Sequence, residues 1–181
     1  DNNIWARQID KRGNLVGEIF KINSDNTSTD CCVALASDGS GNVSAAWLRK
    51  TDGAKWHVYM RKVIEVGNLV NESESNKEIA IAAEDAVDAS NVSITYSGGN
   101  LITVWEDGGD IKSASYNGSE VKTHIISAKE GLGRRPSIAS FGDKVIIGWD
   151  SAANSEQEAN QIYGIIADSD GAAIDQKFHI N

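Results

Sequence analysis

The sequence predicts an all-β fold built from about three and a half repeats of a four-stranded antiparallel unit. Two internal patterns support this prediction: a segment ending in tryptophan that occurs three times, and a hairpin pattern that occurs four times. The composition agrees, with 17 glycines and a single proline. Tight hairpins need φ > 0 at their turns, which glycine supplies and proline does not.

The first pattern reads strand, tight glycine or aspartate turn, strand, tryptophan. It covers residues 33–47, 92–105 and 137–149 and ends in Trp47, Trp105 and Trp149. Two short alternating runs around a turn are typical of a β-hairpin. We name its two strands A and B.

The second pattern is a hairpin with a glycine at its turn, and it also opens the chain. Residues 3–16 align without gaps with residues 57–70 and 161–174, and a looser copy runs through residues 110–121. Trp5, Tyr59 and Tyr163 share one position near the start of this hairpin. We name its strands C and D.

The chain therefore reads CD, ABCD, ABCD, ABCD, and we expect residues 1–181 to form one domain. The predicted repeats are residues 1–30 (a half repeat), 31–85, 86–130 and 131–181. The only stretch with helical propensity is 79–88, which is either a helical turn or an apolar D strand that leads into a connector.

These repeats resemble the β-propeller repeats of large secreted bacterial surface proteins. The resemblance rests on the tryptophan that ends strand B, the aromatic near the start of strand C and the Asp-x-x-Gly turn. It implies four-stranded blades, and we expect all six repeated aromatic positions to pack between blades: Trp47, Trp105, Trp149, Trp5, Tyr59 and Tyr163. A β-trefoil or a sandwich is the alternative, but the extra first hairpin disfavours the trefoil.

Charge and hydropathy restrict the partners and the location. The net charge of −9 and the pI near 4.8 disfavour a nucleic-acid partner, because phosphate binding needs a basic face. No apolar run approaches the roughly 20 residues of a membrane span. Since the sequence begins at Asp1, we expect a processed chain that is secreted or on a cell surface.

The first CD hairpin has no AB partner, so we expect an exposed strand edge, which natural proteins avoid. A second copy would lack the same two strands. The sequence thus predicts a role in a larger assembly, with another protein chain or another copy covering this hairpin.

Acidic residues recur after strand B: Asp52, then Glu106, Asp107 and Asp110, then Asp150. Loops at equivalent positions of stacked blades lie on one rim of the molecule. Carboxylates are oxygen ligands of calcium, so we expect this rim to bind calcium or another ligand. Calcium is therefore the one cofactor that the sequence suggests. Asp168, Asp170 and Asp175 weakly resemble a calcium loop, but they occupy a C–D turn.

Trp56 does not repeat, so it is the better candidate for an exposed aromatic that binds a carbohydrate, although packing remains the alternative. Asp-box motifs of sialidase type are incomplete, and nothing in the sequence brings Arg49, Arg61 and Arg134 together. No histidine has a partner at triad or zinc spacing.

The sequence therefore favours a non-catalytic extracellular binding or assembly module. The alternative is a fragment of a propeller-type carbohydrate-active enzyme, a glycoside hydrolase or lyase, whose site other blades complete.

Cys31 and Cys32 are adjacent. Neighbouring residues on a strand point to opposite faces, so a bridge between them would be strained. We expect one buried thiol and one near the surface, or a bridge to another chain.

Overall fold

The structure is a computed structural model that describes residues 3–25, 27–51, 55–65, 67–70, 77–81, 88–127, 133–151 and 161–181. Every regular element in these ranges is a β-strand. Accordingly, they contain no helix long and apolar enough to cross a membrane. The predicted all-β class is confirmed.

Four antiparallel sheets follow one another along the chain. The half-blade consists of β1 (Trp5–Ile9) and β2 (Leu15–Lys21). Blade 1 consists of β3 (Thr29–Ser37), β4 (Val43–Thr51), β5 (Lys55–Glu65) and β6 (Asn68–Leu69), with β7 (Ile79–Ala80) also paired to β5. Blade 2 consists of β8 (Ala89–Ser97), β9 (Asn100–Asp107), β10 (Asp110–Tyr116) and β11 (Val121–Ser127). Blade 3 consists of β12 (Gly133–Phe141), β13 (Lys144–Ser151), β14 (Gln161–Ala167) and β15 (Phe178–His179).

This order matches the predicted CD, ABCD, ABCD, ABCD arrangement. Blade 1 departs slightly from it, because its A strand begins at Thr29 and its D strand is divided between β6 and β7. Ile79 and Ala80 pair with Met60 and Tyr59, so the start of the stretch 79–88 is a strand. Residues 82–87 lie outside the described residues.

Three turns share one hydrogen-bond pattern. In each, an aspartate Oδ1 accepts the backbone N–H groups two and four residues further on, as Asp10, Asp38 and Asp168 do. Side-chain amides of Asn14 and Asn42 donate to the same carboxylates in the first two turns, which lowers the pKa of Asp10 and Asp38. The carboxylate closes the turn, and this explains why Asp-x-x-Gly repeats in the sequence.

Each hydrophobic cluster lies between two successive sheets. Trp47 packs with Ile4 and Ile22 of the half-blade, Trp105 packs with residues of blade 1, and Trp149 packs with residues of blade 2. All three tryptophans are buried against the preceding sheet. All three therefore lie between successive sheets.

Tyr59 and Tyr163 follow the same rule, since each packs partly buried against the cluster shared with the preceding sheet. Trp5 departs from the prediction, because its side chain is 60% exposed. No described sheet precedes the half-blade. The face of the half-blade on which Trp5 lies is therefore exposed to solvent.

The A strands of the three blades lie side by side, with β8 between β3 and β12. Each contains a β-bulge directly opposite the tryptophan of its own B strand. In blade 1, for example, Cys31 pairs with Leu48 and Ala34 with Ala46, so two residues face Trp47 alone. The same shift occurs between Ser90 and Ser93 and between Arg134 and Ser137.

Candidate functional site

The outer edge of the half-blade is the most distinctive feature of the described residues. Among the described residues, strand β1 pairs with β2 alone, whereas the equivalent C strands β5, β10 and β14 pair on both edges. An edge strand presents a row of N–H and C=O groups that another strand can pair with. We call this row, along residues 5–9, the open edge.

An apolar face accompanies the open edge. Alternation along β1 places Trp5 and Ile9 on the same side, and Leu15 is the cross-strand partner of Ile9. All three side chains are exposed, each by 60% or more. Large apolar side chains clustered at a surface mark interaction sites in soluble proteins.

Complete blades show what covers this position. The ring centroids of Trp47 and Tyr59 lie 6.3 Å apart, and those of Trp149 and Tyr163 lie 6.0 Å apart. In both pairs the tryptophan comes from the B strand and is the cross-strand partner of the tyrosine. Trp5 occupies the tyrosine position on a strand whose B-strand edge is open.

The acidic residues singled out in the sequence are held by cations and N–H groups. Asp107 is buried, accepts the backbone N–H of Asp88 and pairs with Lys112 at 2.6 Å. Glu106 accepts the side-chain amide of Asn91 at 3.0 Å and the backbone N–H of Arg135 at 3.3 Å. Asp110 lies at the start of β10 and also has a partner.

Asp150 pairs with the exposed Arg135 through two hydrogen bonds of 2.9 and 3.0 Å, which lowers the pKa of its carboxyl group. Within the described residues, no three of the Asp, Glu, His and Cys side chains converge as metal ligands. Asp52, which the sequence grouped with these residues, lies outside the described part. Calcium binding stays a prediction.

Trp56 is half-buried at the start of β5, and its ring packs against the cluster between blades 1 and 2. The Lys50 ammonium lies 5.8 Å from the ring centroid. This cation–π contact occupies one face of the ring.

The three arginines do not form a common cluster. Arg49 is buried in blade 1, where its guanidinium binds Asp30 at 2.7 and 2.8 Å and also pairs with Glu78. Burial disfavours its charge, but the hydrogen bonds that it donates to Asp30 and Glu78 outweigh this and raise the pKa of Arg49. Arg61 lies in β5 and donates to the carbonyl of Val70, while Arg134 is exposed on β12.

A cavity of about 320 Å³ that was not predicted from the sequence lies between the half-blade and blade 1. Its wall includes Lys21 and the buried Arg61, whose Nε has no hydrogen-bond partner in the part of the chain that the structure describes. Blade 3 has Ile165 at the position equivalent to Arg61. The sequence did hold a signal for this cavity, because Arg61 is charged where the equivalent residue of blade 3 is apolar.

Comparison with known proteins identifies the architecture. No protein-family model matches the chain, and no curated protein sequence matches it. Solved structures do. A subtype N10 neuraminidase-like protein of A/little yellow-shouldered bat/Guatemala/060/2010 has a TM-score of 0.57 and 11% identity over 100% of this chain and 49% of its own.

The phage phi92 endosialidase has a TM-score of 0.60 and 14% identity over 91% of this chain and 29% of its own. A chain of a nidogen–laminin complex has a TM-score of 0.56 and 11% identity over 99% of this chain and 58% of its own. This chain thus spans less than two thirds of each of them. At such identities the likeness concerns the fold alone, and the fold is that of a partial β-propeller.

Proposed function

We propose that the chain is a non-catalytic binding or assembly module of a larger extracellular propeller. In this proposal, the open edge of β1 takes up an A–B hairpin supplied by another chain. The single observation that carries it is that β1 pairs on one edge only, beside an exposed apolar face. Strand addition of this kind uses main-chain hydrogen bonds for affinity and side-chain pockets for specificity.

The chemistry of the occupant follows from the complete blades. Each tyrosine equivalent to Trp5 lies against a B-strand tryptophan, so the added strand carries an aromatic residue opposite Trp5. Aromatic pairs of this kind contribute about 0.5–1.5 kcal/mol beyond their buried area. The apolar side chains of Ile9 and Leu15 add to the same contact.

Local charge supports an acidic partner. Residues 3–25 contain four Lys or Arg and three Asp or Glu, although the whole chain carries a net charge of −9. An A–B hairpin with the acidic composition of this chain is therefore repelled less by the charges of the half-blade than by those of the rest of the chain. Complementary charge speeds association and disfavours wrong partners.

The test supplies the missing strands in the same chain. Residues 89–109, which form β8, β9 and the following turn, are joined directly to Asn3 as a second copy. The register of blade 2 pairs Trp105 with Lys112, so the second-copy Trp105 would then face Trp5. We expect the unfolding midpoint to rise by several degrees, because the open edge is then paired and Trp5 gains an aromatic cross-strand neighbour.

A matched control carries Val104→Pro in the second copy only, since proline in a central strand removes a ladder hydrogen bond. The proposal predicts that this control unfolds at the temperature of the unfused chain. Equal midpoints for the two fusions would refute pairing at the open edge. A rise that survives Trp5→Ala would refute the aromatic contact.

A glycosidase fragment is the second candidate, and the neuraminidase-like protein and the endosialidase among the similar structures favour it. The ion pairs of Arg49 with Asp30 and of Arg135 with Asp150 count against a free arginine cluster in the described residues. Hydrolysis of a fluorogenic sialoside by the chain or by its fusion would favour this candidate over the assembly module.

A further inference from the structure

The side chains of the adjacent cysteines lie closer together than they would on a regular strand. Strict alternation would place Cys31 and Cys32 on opposite faces of β3. In the structure their Sγ atoms are 2.7 Å apart. Cys31 is half-buried beside the cluster between blades 1 and 2, and Cys32 is exposed.

The bulge of the A strand causes this geometry. Cys32 has a φ of 60°, in the left-handed region, so the chain reverses its alternation at this residue. Asn91 and Arg135 occupy the same bulge position in blades 2 and 3, with φ values of 53° and 50°. The conformation therefore belongs to the repeat, and the cysteine pair belongs to blade 1 alone.

A non-glycine residue in the left-handed region is disfavoured, because its Cβ approaches the following carbonyl oxygen. Its occurrence in all three A strands shows that the pairing on either side of the bulge imposes it. The two sulfurs are thus held together by the fold of blade 1 and not by their own attraction.

We propose that Cys31 and Cys32 form a reversible vicinal disulfide, with small-molecule disulfides as the class of oxidant. The Cys32 thiolate attacks the small disulfide, giving a mixed disulfide and releasing one thiolate. The Cys31 thiol then loses its proton to solvent, and its sulfur displaces the second thiolate. In sum, two protein thiols are oxidised to one disulfide, and one small disulfide is reduced to two thiols.

The difference in exposure between the two sulfurs determines which of them reacts first. Burial raises the pKa of Cys31 to about 12, and hydrogen bonding with Cys32 adds to this, so the Cys31 thiol stays protonated at neutral pH. Cys32 is the sulfur that solvent reaches. The first attack therefore falls to Cys32, and Cys31 resolves the mixed disulfide.

The bond is expected to be easily reduced. Consecutive Cα atoms are about 3.8 Å apart, which is shorter than the usual separation of bridged cysteines, at least about 4.4 Å. A bridge across this distance is strained, and strained, accessible disulfides have more oxidising potentials than buried structural ones. The pair is a reversible site and not a permanent staple.

The experiment equilibrates the folded full chain in defined mixtures of oxidised and reduced glutathione, followed by acid quenching and intact mass. We expect a monomer that loses two hydrogens in mass, carries no glutathione and returns to the dithiol at high reduced glutathione. Digestion should locate the change in a fragment with Cys31 and Cys32 that resists iodoacetamide. Single variants Cys31→Ser and Cys32→Ser should instead retain one glutathione or stay reduced.

A matched control tests the bulge itself. In a Cys31→Ser, Cys32→Ser background, Ser90→Cys with Asn91→Cys places a pair at the same bulge of blade 2, and Ala34→Cys with Leu35→Cys places one on the regular part of β3. We expect an equilibrium constant for oxidation at least about tenfold higher for the bulge pair than for the regular pair. A lasting mixed disulfide on the native pair, a covalent dimer, or equal constants for the two engineered pairs would overturn the proposal.

Discussion

At the scale of single residues, Arg49 shows how a repeat position can change its chemistry without changing its place. Arg49, Asp107 and Ser151 each lie two residues after the B-strand tryptophan, and all three are buried. A charge at such a position needs a partner, and Arg49 has both Asp30 and Glu78. A buried charge that loses its partner costs far more than an exposed one.

We therefore expect Arg49→Met to lower the free energy of unfolding by about 3–5 kcal/mol, because Asp30 and Glu78 remain buried without their cation. Arg135→Met is the matched control. It also breaks an Arg–Asp pair, but the Arg135 side chain is 71% exposed, so its loss of stability should be much smaller than that of Arg49→Met.

Urea denaturation of both variants beside the unaltered chain measures these losses. Similar losses for Arg49→Met and Arg135→Met would contradict the argument from burial.

At the scale of elements, the Asp-x-x-Gly turns share their local structure and differ in what surrounds them. Gly13 and Gly171 both have positive φ, of 84° and 78°. A Cβ on Gly13 would meet nothing within 4 Å, whereas one on Gly171 would lie 3.2 Å from Ser113 Oγ and 3.4 Å from Ile102 Cγ2. The third turn therefore also serves as a contact between blades 2 and 3, with Ser113 donating to the Gly171 carbonyl at 2.7 Å.

Substitution of these glycines separates turn strain from packing. Gly13→Ala should cost roughly 1–2 kcal/mol, the strain of a non-glycine residue in the left-handed region. Gly171→Ala should cost at least about 1 kcal/mol more, because the methyl group crowds Ser113 and Ile102. Chemical denaturation checks the order, and a larger loss at Gly13 would show that the contact with blade 2 does not matter.

At the scale of the whole molecule, the sheets pack in chain order. Each blade buries side chains of the sheet that precedes it. The residue directly before Trp5, and its equivalents in the three blades, show this. Ile4, Val58 and Ile111 are buried at 7%, 0% and 0% exposure, whereas Ile162 of blade 3 is 43% exposed. No described sheet follows blade 3, just as none precedes Trp5.

Equivalent residues should accordingly contribute unequally to stability. Ile111→Ala should lower the free energy of unfolding by about 2–5 kcal/mol, as expected for a fully buried isoleucine. Ile162→Ala should cost no more than about 1 kcal/mol in the same chain. Unfolding curves of the two variants test this, and comparable losses would mean that another surface covers Ile162.

Much of the array follows from the sequence because its signals are local. Glycine and aspartate turns, alternating apolar residues and the tryptophan that ends each B strand predicted every blade and the order of its strands. The division of the D strand in blade 1 was not predictable, since Leu69 and Ile79 pair with different parts of the same edge of β5.

The candidate site was predictable in outline and not in detail. An unpaired first hairpin follows from counting repeats, and the structure adds that Trp5 is exposed there. Glu106, Asp107 and Asp150 suggested a free acidic rim in the sequence, yet each is paired with a side chain of a neighbouring strand. Side-chain pairing across strands is decided by the register of the sheet, which the residue pattern of one loop does not show.

The sequence by itself determined the strands, their turns and the repeat, because backbone conformation and alternation depend on near neighbours. Only the tertiary structure decided which equivalent residues are buried, as Tyr59 and Trp5 show, since burial depends on whether another sheet stacks on that face. It also decided the geometry of Cys31 and Cys32. A bulge set by strand pairing, and not by the two residues themselves, brings their sulfurs together.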